Sequence, residues 1–137
     1  MLKKYFFMTE KLTIMANFDE HYGLEEWVRD NLHILKIKTG LKLVLETVEM
    51  VHDGFIVKNE ILDQTFFVKC DKEKSDEYDL GCIVIECAIQ EAQGVIWLAN
   101  NLESDLRTAF NWFGNALGPD FETHIIDIEV KNTNKQC

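Results

Sequence analysis

The sequence predicts an α/β domain in which a mixed central sheet is flanked by helices. Three segments carry apolar residues at helical spacing, and between them lie short apolar or alternating runs that are typical of strands. The predicted order is helix, three strands, helix, strand, helix, strand, which places helices on both faces of one sheet. With 137 residues and an apolar fraction of 47%, the chain is large enough to bury a core as one domain.

The first helix is predicted over residues 24–38. Leu24, Trp27, Val28 and Leu35 recur there on one helical face, and Gly40 follows as a stop signal. Strands are predicted next over residues 41–51, 55–62 and 65–70. A turn at residues 52–54 and a tight corner at residues 63–64 connect them, so we expect a three-stranded meander. Residues 1–16, ahead of the domain, are expected to form an N-terminal arm or an extra strand.

Residues 79–92, DLGCIVIECAIQEA, fit two interpretations. Ile83, Val84 and Ile85 favour a strand by propensity. The placement of Leu80, Ile83 and Cys87 fits one face of a helix better, so we predict a helix. The continuous apolar run at residues 94–100 is typical of a strand that is covered on both faces.

The last helix is predicted to begin at a Ser104 cap and to end at Gly114 or Gly118. Its predicted buried stripe consists of Leu106, Ala109, Phe110 and Phe113. Trp112 lies opposite much of this stripe, and we expect it at the surface as part of a dimer or partner interface. A final strand over residues 123–130 completes the predicted domain, residues 17–131, and residues 132–137 are expected to be a frayed tail.

The charge balance constrains the class of partner. The chain has 14 basic and 24 acidic residues, a formal net charge of -10. Binding to nucleic acid depends on phosphate neutralisation by Lys and Arg, so this balance disfavours a nucleic-acid partner, although net charge does not fix its distribution. It favours a basic protein partner or a DNA-like acidic surface.

Cysteine usage and hydropathy favour an intracellular setting. The cysteines at positions 70, 82, 87 and 137 form no C-x-x-C pair, and no histidine is spaced to complete a zinc site, so we expect reduced thiols. Residues 9–11 interrupt the apolar N-terminal run too early for a signal peptide, and no run reaches transmembrane length. We therefore expect a cytoplasmic protein without a membrane partner.

Two segments carry a resemblance to a known family. VKCDKEKSDEYDLG aligns without a gap with the pattern IENQLEKTDHDHLG, and GVIWLANNLESDLRTAFNWF matches the strand and helix that follow it in that pattern. Shared residues include Glu73, Lys74, Asp76, Leu80, Gly81, Trp97 and Arg107. The chain resembles the PD-(D/E)XK nuclease superfamily, in a subgroup whose pattern continues as HLGQLLTYAAGL and VIWIA. The resemblance implies a restriction-endonuclease-like core of order αβββαβ, followed here by a further helix and strand.

The same resemblance implies the positions of a nuclease site. In this family an acid on the second strand, and a Glu followed two positions later by Gln or Lys at the end of the third strand, serve an Mg²⁺ ion and its attacking water. In this chain the second-strand acid falls on Phe55 or Lys58. The third-strand pair falls on Lys69 and Asp71.

The following helix also departs from the family. Cys82 and Glu86 stand where the family has Gln and Tyr on one helical face. An ammonium at position 69 repels a divalent cation by several kcal/mol at intermediate dielectric, so we expect no metal cofactor. The first hypothesis is therefore a catalytically inactive nuclease-fold protein. It would bind a protein partner, or form a homodimer, as a regulator in defence or in a mobile element.

Two alternatives stay open. Asp53, Asp71 and Glu86 together would hold Mg²⁺ if they meet in space, with Lys69 as the lysine of the motif, and the chain would then be an Mg²⁺-dependent DNA endonuclease. In the third hypothesis the acidic surface mimics DNA and inhibits a nucleic-acid enzyme. For Asp71 and Glu86 we favour a solvated charge or a pair with Lys69 that fills the former metal cavity.

Overall fold

The computed structural model describes residues 11–18, 22–46 and 54–132. Six strands and four helices lie in this part of the chain. In chain order they are β1 Leu12–Ala16, α1 Leu24–Asp30, α2 Leu32–Thr39, β2 Leu43–Leu45, β3 Gly54–Asn59, β4 Gln64–Cys70, α3 Glu77–Gln90, β5 Gly94–Asn100, α4 Ser104–Ala116 and β6 Glu122–Asn132.

The strands form one mixed sheet in the order β1-β6-β5-β4-β3-β2. The pairs β2–β3 and β3–β4 are antiparallel, which confirms the predicted meander, and β4–β5, β5–β6 and β1–β6 are parallel. Short turns suffice for antiparallel neighbours, whereas α3 and α4 make the longer crossovers that parallel neighbours require. The mixed α/β architecture is confirmed, and residues 12–16 form an edge strand beside β6.

Helices cover the two faces of the sheet and create two cores. Leu24, Val28 and Leu35 of α1 and α2 pack on one face, while Ile83 and Phe110 of α3 and α4 pack on the other. Since successive residues of a strand point to opposite faces, each central strand contributes to both cores. The β5 run from Gly94 to Ala99 is buried throughout, as predicted for a strand covered on both faces.

The predicted helix over residues 24–38 is interrupted. Asn31 has φ -121° and ψ 39°, outside the helical region, and separates α1 from α2. Its side-chain Nδ2 donates to the carbonyl oxygen of Trp27 at 2.8 Å, a local hydrogen bond that competes with a continuous helix. The predicted stop at Gly40 is confirmed, because Gly40 adopts a left-handed conformation with φ +76° after α2.

The helical interpretation of residues 79–92 is confirmed by α3. It begins at Glu77, two residues before the predicted start, because Asp76 and Asp79 form a capping box there. The predicted Ser104 cap of α4 is wrong, since Glu103 occupies the cap position without a side-chain cap bond and Ser104 is already helical. Gly114 lies inside α4, which ends at Ala116.

Strand boundaries differ from the prediction at three places. Of the run at residues 41–51, residues 43–45 form β2, and residues 47–53 lie outside the described residues. Gly54, predicted as a turn residue, opens β3, and the β3–β4 turn occupies residues 60–63, so Gln64 already belongs to β4. β6 continues through Asn132 because residues 128–132 pair with β1, while residues 133–137 lie outside the described part.

None of the described helices combines the length and the apolar character needed to cross a bilayer.

Candidate functional site

A polar cluster lies in the core where the parallel strands β4 and β5 leave the sheet, beneath the start of α3. We call it the Lys69 cluster, and it consists of Lys69, Asp71, Ser75, Asp79 and Trp97. In open α/β sheets, ligands bind outside the carboxyl ends of the strands, which is where this cluster lies. Its position therefore makes this cluster the main candidate for ligand binding or catalysis.

The Lys69 ammonium is enclosed by two carboxylates. Lys69 is fully buried, and its Nζ donates to Oδ1 of Asp71 and, at 2.9 Å, to Oδ1 of Asp79. The second oxygen of Asp71, Oδ2, accepts from Ser75 Oγ at 2.6 Å and from Trp97 Nε1 at 2.8 Å. Both oxygens of Asp71 are thus engaged inside the protein, as burial of a charge requires.

Local structure explains why these residues meet. Lys69 is paired in register with Trp97 of the neighbouring parallel strand, so the ammonium and the indole share a face of the sheet. Asp79 stands at the third position of α3, and its Oδ2 accepts from the backbone N–H of Asp76 at 2.9 Å. One Asp79 oxygen therefore completes the helix cap while the other faces Lys69.

The electrostatics keep the lysine charged. Burial by itself lowers the pKa of Lys69, but the adjacent charges and hydrogen bonds of Asp71 and Asp79 outweigh burial, and the pKa lies above its ordinary value. Burial raises the pKa of Asp79, helped by the charge of Asp71 and opposed by its bond to Lys69. The backbone N–H of Asp79 lowers the pKa of Asp76. At neutral pH the cluster contains an ammonium in salt bridges.

This pairing predicts a loss of stability at alkaline pH. The folded pKa of Lys69 is raised above the unfolded value of about 10.4. Its contribution is therefore fully present below about pH 10 and is lost as the pH rises through the folded pKa. We expect the urea midpoint of the wild type to fall more steeply above about pH 10.5 than that of Lys69→Met/Asp71→Asn. Parallel curves for the two proteins would contradict this role of Lys69.

Neither position proposed for a second-strand acid joins the cluster. Phe55 pairs with Val68 and is buried in the core on the opposite face, against α1 and α2. Lys58 pairs with Thr65, four residues from Lys69 or about 13 Å along the strand, and forms salt bridges with Asp63 at 3.2 Å and Glu46 at 3.8 Å. The β3 residue opposite Lys69 is Gly54, which has no side chain.

The helix positions Cys82 and Glu86 lie on the buried face of α3. Glu86 is 3% exposed, so the interpretation of a solvated charge is wrong for it, and Asp71 is likewise buried. Seven residues, about 10 Å of helix, separate Glu86 from the Asp79 position that reaches Lys69. Asp53 lies outside the described residues.

Neighbouring thiols and carboxylates do not form a metal site within the described ranges. No group of three or more His, Cys, Asp or Glu side chains that could hold a metal ion is found among residues 11–18, 22–46 and 54–132. Cys70, Cys82 and Cys87 are buried thiols. Burial, with the charge of Glu86, raises the pKa of Cys87 to about 12, so this thiol is protonated at neutral pH.

The sequence prediction named Lys69 and Asp71 but missed three members of the cluster: Ser75, Asp79 and Trp97. Two signals for them are present in the sequence. The spacing of Asp76 and Asp79 is typical of a capping box, which fixes where Asp79 stands on the helix. A tryptophan inside an apolar strand needs a partner for its N–H, and a carboxylate at the adjacent strand end provides one.

No family model, curated protein or solved structure matches the chain. The α/β class thus follows from the sheet and helices described above, and membership of a nuclease family stays a proposal.

Proposed function

We propose that the chain is a catalytically inactive restriction-endonuclease-like protein that acts by binding another protein. The Lys69 cluster carries this proposal. Where the family places a metal-binding Glu, this chain has a buried ammonium, and two positions later it has a carboxylate that neutralises that ammonium. A cation thus replaces the family's Glu, and a carboxylate replaces its Gln or Lys.

The element order supports the family assignment. From α2 to β5 the chain runs helix, three antiparallel strands, helix and parallel strand, which is the αβββαβ order of the restriction-endonuclease-like core. α4 and β6 follow as the further helix and strand. Lys69 stands near the end of the third strand of this core, at the place where the family's chemistry is expected.

A metal ion would have to displace the lysine. Mg²⁺ takes oxygen ligands in near-octahedral geometry and gives up its water reluctantly. The oxygens of Asp71 and Asp79 that face the cluster already bind Lys69. A divalent ion about 4 Å from the ammonium meets a repulsion of roughly 8 kcal/mol at an effective dielectric constant of about 20. The geometry therefore favours a structural salt bridge over a metal site.

The distribution of charge supports a basic partner. Residues 75–130, which contain α3, β5, α4 and β6, hold eleven acidic residues and one basic residue, Arg107. The rest of the chain holds thirteen of each sign, so the whole net charge of -10 belongs to this segment. Arg107 itself is paired with Asp127 at 2.8 Å. The net negative charge of this segment disfavours contact with phosphate and favours contact with a basic surface.

The proposal predicts that divalent metal ions neither bind to the protein nor activate DNA cleavage. With Mg²⁺ or Mn²⁺ at millimolar concentration, we expect no cleavage of plasmid or single-stranded DNA, and no saturable heat of Mn²⁺ binding in calorimetry, because Lys69 occupies the carboxylates. The matched variant is Asp71→Asn/Glu86→Gln, which keeps the side-chain shapes. Wild-type cleavage or Mn²⁺ binding that this variant abolishes would overturn the proposal and establish the Mg²⁺-dependent nuclease with relocated carboxylates.

A further inference from the structure

An apolar groove lies between the C-terminal parts of α3 and α4. Its volume is about 700 Å³, and its lining includes Val84, Cys87, Ala88, Phe113, Leu117 and Phe121. Leu62, in the β3–β4 turn, also borders it. Residues 92–93 and 120–121, which immediately precede β5 and β6, form one end of the groove, so it lies at the opposite edge of the sheet from the Lys69 cluster.

The groove is bordered by apolar side chains that solvent reaches. Leu62 is 65% exposed, Leu117 52% and Val84 41%. On α3, Ile85 and Ile89 are also exposed, although the outer face of a surface helix is ordinarily polar. Exposed apolar side chains grouped around one groove are typical of an interaction site.

Acidic residues lie beside this apolar surface. Asp120 lines the groove, Glu91 follows α3 directly, and Glu60 lies two residues before Leu62 in the turn. Asp63, which follows Leu62, is paired with Lys58. A second copy of the chain would bring an equally acidic rim against this one, and like charges across an interface are unfavourable. A partner with basic residues around an apolar stripe could place the stripe in the groove and the basic residues against the acidic side chains.

We propose that the α3–α4 groove binds an amphipathic helix of a partner protein, with its apolar side chains in the groove and its Lys and Arg residues against the acidic rim. A groove between two helices offers the ridges and grooves on which a third helix packs. This inference rests on the proposed protein-binding function and adds the place and the chemistry of the partner.

The test uses a synthetic helix as the probe. A peptide of about 18 residues, five helical turns, carries Leu on one face and Lys on the other, and its binding is followed by fluorescence anisotropy. We expect saturable binding that Val84→Asp and Leu62→Asp each weaken about tenfold, because a carboxylate replaces an apolar contact. The matched control is Ile37→Asp, since Ile37 is 76% exposed on α2, on the other side of the sheet, and is expected to leave binding unchanged.

These variants separate the groove from general charge attraction. Each adds one negative charge, so attraction of a basic peptide by net charge alone would make all three bind more tightly. Leu62 lies in an exposed turn, and Leu62→Asp is therefore expected to keep the fold, with an unchanged urea midpoint, even if Val84→Asp does not.

Three results would overturn the inference. The first is equal peptide affinity in the wild type, Val84→Asp and Leu62→Asp. The second is equal binding of a peptide with Glu in place of every Lys. The third is a wild-type dimer in sedimentation that Leu62→Asp dissociates, which would make a second copy the occupant. DNA cleavage by a protein that still binds the peptide in the groove would overturn the inactive-nuclease proposal alone.

Discussion

Replacing Lys69 by methionine is expected to lower the free energy of unfolding by roughly 3 to 5 kcal/mol. The substitution keeps an unbranched side chain of similar length but removes the ammonium that neutralises Asp71. Asp71 is 5% exposed, so its charge would remain buried with only the neutral donors Ser75 and Trp97. Removing one partner of a buried ion pair costs more than the pair itself contributes, because an uncompensated charge is left in the core.

Urea unfolding at neutral pH measures this effect, and two variants serve as controls. Lys69→Met/Asp71→Asn should recover most of the lost stability, because Asn is neutral and its side-chain oxygen can still accept from Ser75 and Trp97. Lys36→Met removes an exposed lysine from α2 and should change stability by less than about 0.5 kcal/mol. A Lys69→Met protein as stable as Lys36→Met would show that Lys69 does not neutralise a buried charge.

Gly54→Ala is expected to destabilise the protein by about 3 kcal/mol, at the upper end of the usual cost of overpacking. Gly54 lies opposite Lys69 on β3, and a Cβ atom there would stand 2.0 Å from the carbonyl oxygen of Val68 and 2.9 Å from Cε1 of Phe67. The nearer contact is backbone, which can move only if the β3–β4 pairing moves with it. The added methyl group would therefore shift the pairing of β3 with β4, the strand that carries Lys69.

Gly81→Ala is the matched control for this substitution. Gly81 is an exposed residue inside α3, and a Cβ atom there meets nothing within 4 Å. Alanine is the better helix former, so this variant should gain about 0.8 to 1 kcal/mol. Thermal or urea unfolding of both variants decides the matter, and a loss of stability in both, or in neither, would contradict the close approach at Gly54.

The two predictions concern one region and bear on the proposed function. Lys69 and Gly54 face each other across β3 and β4, at the edge of the sheet where the family resemblance places catalysis. If stability there depends on a salt bridge and a close backbone approach, this edge serves the fold. The proposed partner binding would then involve the α3–α4 groove at the other edge.

Periodicity predicted much of this architecture, and its failures have local causes. In residues 79–92 helical spacing outweighs the β-propensity of Ile83 and Ile85, because only a helix buries Ile83 and Cys87 while Ile85 faces solvent. The break at Asn31 was missed because it leaves the apolar pattern unchanged, although Asn31 has a side chain that can bond locally, here to the carbonyl oxygen of Trp27. Ser is a residue type that often caps helices, and a cap at Ser104 would start the helix at residue 105. In the structure Glu103 is the cap residue and α4 already includes Ser104.

The sequence by itself determined the order of helices and strands from residue 24 onward apart from the break at Asn31, the position of Lys69 on β4, and the concentration of acidic residues after position 75. These properties depend on residue type and on local spacing, and both are present in the sequence before the chain folds. Only the tertiary structure decided that Lys69 pairs with Asp79, ten residues away, and that Asp71 binds Trp97, twenty-six residues away. The parallel register of β4 and β5 and the crossover through α3 bring those groups together. The same packing of α3 beside α4 determines which apolar side chains remain exposed to solvent.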